Sequence, residues 1–499
     1  MPEPTTTRRR PSRTVLIVTC LALATVVAPI ASMNVAIPSI AAGTHATATQ
    51  LSWIVDSYAL VFAALLLVAG AVGDRYGRRR ALLVGLSIFA VGSLAATAMA
   101  NPTWLIAMQS VLGVGAALVM PATLSTITAT FPADQRTRAV GTWAGVVGAS
   151  AILGVLASGL VLEVWSWRSV FGVNVALAAI ALVTTVLVIP ESADRDAPAI
   201  DYLGGLITVA GLGVLVYSII EAPTAGWASA RTLVGLVLGL AILAGFVRWE
   251  LRRSNPLLDP RLFAHRSFSA GTLTITIQFL AFFGFIFLIV QYLQLVRGDS
   301  PLLAGASLLP FPLLLMPGAR IIAPRMSAKA GQQATCTIGL ALIAVAMAVF
   351  SFLGPATSYW LMLAGLLVLG AGMGLAMTPA TSAITDALPA SKQGVGSAVN
   401  DLARELGSAL GIAILGSVMQ STYRARLNPP GLPRAMIEQA RASFGAAAHM
   451  DPIAGAAKQA FCEGAQSALI TAAAIAAVGA VIVAGLLRHE HRRAPLARG

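Results

Sequence analysis

The stretch LSWIVDSYALVFAALLLVAGAVGDRYGRRR, residues 51–80, decides the class of this chain. Its first part, residues 51–72, supplies about the 20 apolar residues that a helix needs to cross a bilayer. One carboxylate, Asp56, stands inside that run near its start. The tail, GAVGDRYGRRR (70–80), is a basic turn cornered by Gly70, Gly73 and Gly77, and a new apolar run begins directly after it. Glycines at such a corner let two helices turn back with their backbones close. Arg75, Arg78, Arg79 and Arg80 would hold the turn on the cytoplasmic side of a membrane. Asp74 and Arg78 are spaced to pair along one helical turn.

Composition carries the same message across the whole chain. Hydrophobic residues make up 57% of 499, charged residues 11%, and the mean hydropathy is +0.82. A soluble domain has about 25% charged residues, so these values describe a polytopic membrane protein. The formal charge of +13 is scattered over short loops rather than gathered on one domain, which argues against a nucleic-acid partner. Cys20, Cys336 and Cys462 lie far apart, and the five histidines fall in loops or tails, so no metal or redox spacing is visible. No G-x-x-x-x-G-K-[ST] run is present, which removes ATP as the expected energy source. Neither a cofactor nor an enzymatic activity is expected. The expected partners are the lipid bilayer, a small-molecule substrate and protons, and the expected state is a monomer.

Fourteen apolar runs reach spanning length, near 14–36, 51–72, 81–100, 104–130, 139–163, 168–190, 202–221, 231–249, 268–296, 303–324, 334–354, 359–385, 394–420 and 464–487. Lysine and arginine orient them. With the N-terminus inside, the cytoplasmic side receives Arg8–Arg10, Arg13, Arg75 with Arg78–Arg80, Arg136, Arg138, Arg195, Arg248, Arg252, Arg253, Arg261, Arg266, Arg325, Lys329, Lys392 and the tail Arg488, Arg492, Arg493 and Arg498. The short outer loops hold only Arg168, Arg231 and Arg297. A longer outer loop before the last span adds Arg424, Arg426, Arg434, Arg441 and Lys458, where length weakens the rule. Both termini are therefore expected in the cytoplasm of a cell membrane, which an even number of spans satisfies.

The turn at 70–80 resembles the loop between spans 2 and 3 of the major facilitator superfamily of secondary transporters. Its pattern G-x-x-x-D-R-x-G-R-R/K is matched by Gly70, Asp74, Arg75, Gly77, Arg78 and Arg79, with Gly73 directly before the acid. The run Trp53 to Leu60 (WIVDSYAL) narrows the likeness to span 2 of the fourteen-span drug:proton antiporters of that superfamily. The resemblance implies an all-α integral membrane protein of two six-helix bundles, 1–190 and 268–487. Two additional central spans lie in 191–267, and 488–499 forms a cytoplasmic tail. A weak internal echo, APRMSAKAG (323–331), occupies in the second bundle the place that the 70–80 turn has in the first.

Charges inside spans cost about 2.5–3.5 kcal/mol each on insertion scales, so each suggests a function. Span 13 reads GSAVNDLARELG (396–407) and carries Asn400, Asp401, Arg404 and Glu405. Asp401 and Glu405 share a helical face, with Arg404 within reach of Asp401. A start near Gly394 puts Glu405 about 16 Å deep. Two carboxylates on one face in a low-dielectric site cannot both ionise cheaply, which makes one of them a proton carrier. The expectation is that Arg404 holds Asp401 ionised and that Glu405 loads and unloads the proton. Asp56, in the outer third of span 2, is expected to contribute to coupling and to recognise cations. Around these acids, Trp53, Tyr58, Gln109, Gln278, Gln291, Arg320, Asn400 and Arg404 are the candidate substrate-binding side chains, with Arg320 read as a buried cation. In the antiporter group, acids matching Asp401 and Glu405 serve cation or proton binding.

The chain departs from the group at three places. Pro29 stands where an acid usually precedes Asn34, and Gln109 stands where span 4 usually has arginine. Gly154-Val155 and Ser158-Gly159 replace the usual Gly-Pro and Gly-Gly of span 5. The expected function is proton-driven efflux of small amphiphilic or cationic compounds, of the kind that confers drug or antibiotic resistance, by alternating access. The competing readings are export of a lipid or neutral metabolite, and a transporter-like receptor that binds without moving its ligand.

Overall fold

The computed structural model describes residues 12–44, 46, 48–193, 201–388, 392–429, 433–442, 444–448 and 450–491. Arg8, Arg9, Arg10, His45, Arg195, His449, Arg492, Arg493 and Arg498, which enter the sequence reading, lie outside them. Among the described residues every regular element is a helix. The first six long helices are α1 (Ser12–Thr44), α2 (Ala48–Tyr76), α3 (Arg78–Ala98), α4 (Pro102–Thr130), α5 (Ala133–Val164) and α6 (Arg168–Val188). They are followed by α7 (Tyr202–Ala225), α8 (Ala230–Glu250) and α9 (Arg266–Gln291). The rest are α10 (Pro301–Ser307), α11 (Pro310–Pro317), α12 (Ala323–Phe350), α13 (Tyr359–Thr385), α14 (Gln393–Arg426), α15 (Arg434–Ala442), α16 (Phe444–Ala447) and α17 (Ala454–His491).

Thirteen stretches of the described residues are long and apolar enough to cross a membrane. Their ends are set by local chemistry. Asn101 caps α4 by accepting from the Thr103 amide at 2.8 Å, with Pro102 in the first turn, and Asp201 caps α7 through the Gly204 amide at 2.9 Å. Hydroxyls inside the spans bond back to their own helix, as Thr19 does to Val15 O (2.9 Å) and Thr126 to Ala122 O (2.6 Å). Such bonding leaves little polarity to be satisfied by lipid.

The run 303–324, expected as one regular span, is instead α10, α11 and a π-helical turn at Gly318–Ile322 leading into α12. Pro301, Pro310, Pro312 and Pro317 remove amide donors there, and the π turn absorbs the extra residue. Within α12 the helix is broken at Gly331, which sits at φ 87°. The long loop expected before the last span contains α15 and α16. These are held by Tyr423 Oη donating to Ala440 O (2.9 Å) and by Phe444 stacked on Phe461 at 4.2 Å.

Helix α1 packs on α4, α5 and α6, α2 on α4, and α3 on α4 and α6. In the second part of the chain, α9 packs on α13, α14 and α17, and α12 on α13 and α17. The two sets meet where α14 lies against α2 and α4, and where α5 lies against α10, α11 and α13. Helix α7 packs on α8 and touches both α2 and α14. Residues 119–128 of α4, 372–382 of α13 and 393–401 of α14 are buried on every side. Helix segments enclosed all round form the interior, and these three converge at the end of the molecule that carries the Gly77 turn.

Candidate functional site

At that end, Gly77 adopts φ 113°, a conformation that costs any L-residue with a Cβ. This lets α2 pass into α3 without a linker. Asp74, buried at 4% exposure, uses both of its oxygens. Oδ1 receives Arg78 Nη2 at 3.0 Å, while Oδ2 receives the amides of Gly394 at 2.7 Å and Val395 at 3.2 Å. A carboxylate is thereby seated on the N-terminus of α14, where the helix end is positive. The approach is possible because Gly70 faces Gly394, where any Cβ would come within 2.5 Å of the Gly394 carbonyl oxygen. Arg79 donates to Val186 O (2.8 Å), the Arg78 amide donates to Ser192 O (3.3 Å), Gly73 rests on Ala81, and Arg75 is half-buried on the same turn. Nothing in the sequence marks Gly394 and Val395 as the partners of Asp74.

The second cluster is centred on α14. Asn400, Asp401, Arg404 and Glu405 are all buried, with Asp401 fully so. The expected Asp401–Arg404 ion pair is present, with the closer bonds made to Glu405. Arg404 does stand between the acids, but its hydrogen bonds go to Glu405 Oε1, from Nε at 3.2 Å and Nη2 at 3.0 Å. Asp401 Oδ1 is 3.7 Å from Arg404 Nη1 and receives a long bond from Asn400 Nδ2 (3.5 Å), while its Oδ2 has no hydrogen-bond partner. The adjacent residue bonds more closely than the one a helical turn away because the guanidinium is drawn sideways between two rings. Its central carbon lies 5.9 Å from the Phe62 ring centre on α2 and 5.8 Å from the Phe279 ring centre on α9. Nη1 also reaches Met120 Sδ on α4 at 3.8 Å. Asn400 is fixed in turn by Thr381 Oγ1 of α13, at 3.0 Å. One arginine thus touches helices from both parts of the chain. Phe62, Met120, Phe279 and Thr381 were not singled out in the sequence, where each looks like ordinary core.

The residues expected around Asp56 divide. Tyr58 turns inward and donates to Val26 O at 2.6 Å. Trp53 turns to α7 and stacks on Tyr217 at 5.5 Å, and Glu221, also of α7, lies near Asp56. Arg231 of α8 pairs with Glu221 at 3.6 Å and lies over the Tyr217 ring at 5.7 Å. Glu221 is the lone acid of the apolar α7, and that isolation is its signal in the sequence.

Other candidates are placed differently. Arg320, expected as a buried cation, is exposed, because the π turn directs Ala319 inward, where its carbonyl accepts from Thr378 Oγ1 at 2.9 Å. Gln291 donates to its own helix at Phe287 O (3.0 Å). Gln109 is buried in α4, and Gln278 is fully buried with both amide atoms lacking a hydrogen-bond partner. Pro29 and Val155 are buried, Val155 against Gly305. Among the described residues no group of histidine, cysteine and acid side chains could hold a metal ion.

The sequence pattern of the Major Facilitator Superfamily matches residues 15–412. Multidrug resistance protein Stp of Mycobacterium tuberculosis is 34% identical over 478 residues, covering 91% of this chain and 87% of that protein. Methyl viologen resistance protein SmvA of Salmonella typhimurium is 34% identical over 424 residues, covering 84% and 85%. Among solved structures, the human organic anion transporter MFSD10 (TETRAN) superposes with a TM-score of 0.66 at 14% identity, over 95% of this chain and 100% of that one, a likeness of fold alone.

Proposed function

The chain belongs to the major facilitator superfamily, and from that premise we propose that it is a proton-driven exporter of small cationic or amphiphilic compounds working by alternating access. It is a multi-pass membrane protein and a secondary transporter related to multidrug- and antibiotic-resistance exporters. The proposed topology has fourteen spans. The stretch Leu302–Phe350 is 49 residues long and breaks at Gly331. As one helix it would reach about 74 Å, more than twice the hydrocarbon thickness, so it is read as two crossings. The bundles are 1–190 and 268–487, α7 and α8 form the inserted pair within 191–267, and both termini, including the 488–499 tail, are cytoplasmic.

One observation carries the reading: two carboxylates and a single arginine enclosed where α14 meets α2, α4 and α9. Fully ionised, Asp401, Glu405 and Arg404 leave one uncompensated negative charge, and burying such a charge is costly. A proton or a cationic substrate can each supply the missing positive charge, but not both together. Binding one therefore displaces the other, which is the thermodynamic content of antiport. Because Glu405 already holds the guanidinium, we assign the proton to Asp401. Glu405 with Arg404 then serves as the fixed partner, and Asp56 as an outer recognition group on the α2–α7 seam. The Asp74 contact to α14 holds the cytoplasmic side closed in this conformation. A membrane potential adds about 2.3 kcal/mol per charge per 100 mV to the driving force.

Everted membrane vesicles test the assignment with ethidium as the cation. The unaltered protein should concentrate ethidium when a proton gradient is imposed. Asp401→Asn should lose gradient-driven accumulation while keeping downhill exchange. Accumulation by Asp401→Asn at the unaltered level would remove the proton from that residue.

A further inference from the structure

A cavity of about 170 Å³ lies among α1, α5 and α6 and shares no residue with the Arg404 cluster. Its floor forms where Gly154 of α5 meets the Ala28 carbonyl of α1 so closely that no Cβ fits between them. Its mouth is bordered by Leu153, 52% exposed, and by exposed Ala157, the side of α5 that the transporter turns to lipid. In its wall stands Asn174, the one side-chain amide of α6. Asn174 is 4% exposed, and its Nδ2 has no hydrogen-bond partner. The Ser150 hydroxyl, which lines the same cavity, donates to Val146 O at 2.6 Å and receives no bond from Asn174 Nδ2. An unpaired amide is strongly disfavoured in hydrocarbon, where no water replaces the missing partner.

We propose that this cavity is a lateral binding site for an amphiphile that reaches it through the bilayer and carries a carbonyl or ester oxygen beside an alkyl chain or ring. The oxygen accepts from Asn174 Nδ2, and the apolar part lies against Ala28, Leu153 and Ala157. Depth agrees with that chemistry. Asn174 is about 9 Å along α6 from its first residue at 1.5 Å per residue, just inside the polar boundary of the membrane, where ester oxygens meet acyl chains. The same chemistry belongs to a glycerol ester of a bilayer phospholipid and to a lipophilic compound on its way to export.

Photolabelling of the full-length protein in phospholipid vesicles separates the two sources. One preparation carries a diazirine-bearing phosphatidylcholine and the other a diazirine-bearing long-chain alkyl ketone. Adducts are expected in the 150–161 and 170–177 segments, from the phospholipid if the site holds structural lipid and from the ketone if it lies on a cargo path. Yield should fall about fivefold in Asn174→Leu, the share of one neutral hydrogen bond. It should also fall in Ala157→Phe, which fills the mouth from the lipid side and leaves the amide in place. Asn174→Leu should raise the unfolding midpoint in delipidated micelles, since it removes a buried group without a partner. Absence of adducts from both segments with both probes, yields within about twofold of the unaltered protein in both variants, or a lowered midpoint for Asn174→Leu in delipidated micelles would overturn the proposal.

Discussion

Asp74→Asn perturbs the interface at one atom's chemistry with almost no change of shape. The Arg78 pair is local to the turn between α2 and α3 and survives any separation of α2 from α14. The closed conformation is therefore favoured only by the bonds from Oδ2 to the Gly394 and Val395 amides, 2.7 and 3.2 Å long, and by the negative charge at the α14 N-terminus. Hydrogen bonds to a charged group contribute about 1.5–3 kcal/mol against about 0.5–1.5 for neutral ones, and the charge at a helix end adds about 0.3–1. Asparagine retains one neutral acceptor, but its amide must face either Arg78 or the two backbone donors. The loss specific to the closed state is then about 2 kcal/mol, or about 30-fold in the ratio of closed to open protein. Val395, 3% exposed in this conformation, provides the reporter. With Cys20, Cys336 and Cys462 replaced, Val395→Cys should react with a maleimide about 30-fold faster in the Asp74→Asn background. A rate that stays within about twofold would refute the claim that this carboxylate holds the interface.

Gly77→Ala places a Cβ at φ 113°, so about 1–2 kcal/mol of stability should be lost, read as a lower unfolding midpoint together with slower exchange between conformations. Arg320→Gln should leave transport and stability within about 0.5 kcal/mol, because the side chain is exposed. Loss of ethidium transport in that variant would place Arg320 on the substrate path after all. For the fourteen-span topology, single cysteines at Ala46 and Thr357 should react with an impermeant reagent added to intact cells, while one at Ser391, outside the described residues, should not. Labelling of Ser391 from outside would overturn the orientation.

The class of the protein and the existence of its helices were legible from the chain alone, because an apolar run of spanning length has only one economical way to satisfy its backbone in lipid. The clustering of Asp401, Arg404 and Glu405 was equally legible, since one helix carries all of them and its pitch places them together. What lay between helices was not. Nothing near Asp74 points to Gly394, some 320 residues away, and nothing near Arg404 points to Phe62 and Phe279, whose rings draw the guanidinium toward Glu405. The outward turn of Arg320 depends on a single π turn, and the division of Trp53 and Asp56 from Tyr58 depends on α7 lying against α2. A helix that is apolar all round has no stripe to reveal which face meets which neighbour. In a membrane that choice is made by close packing of small residues and by a few polar contacts between helices, and only the tertiary structure brings those together.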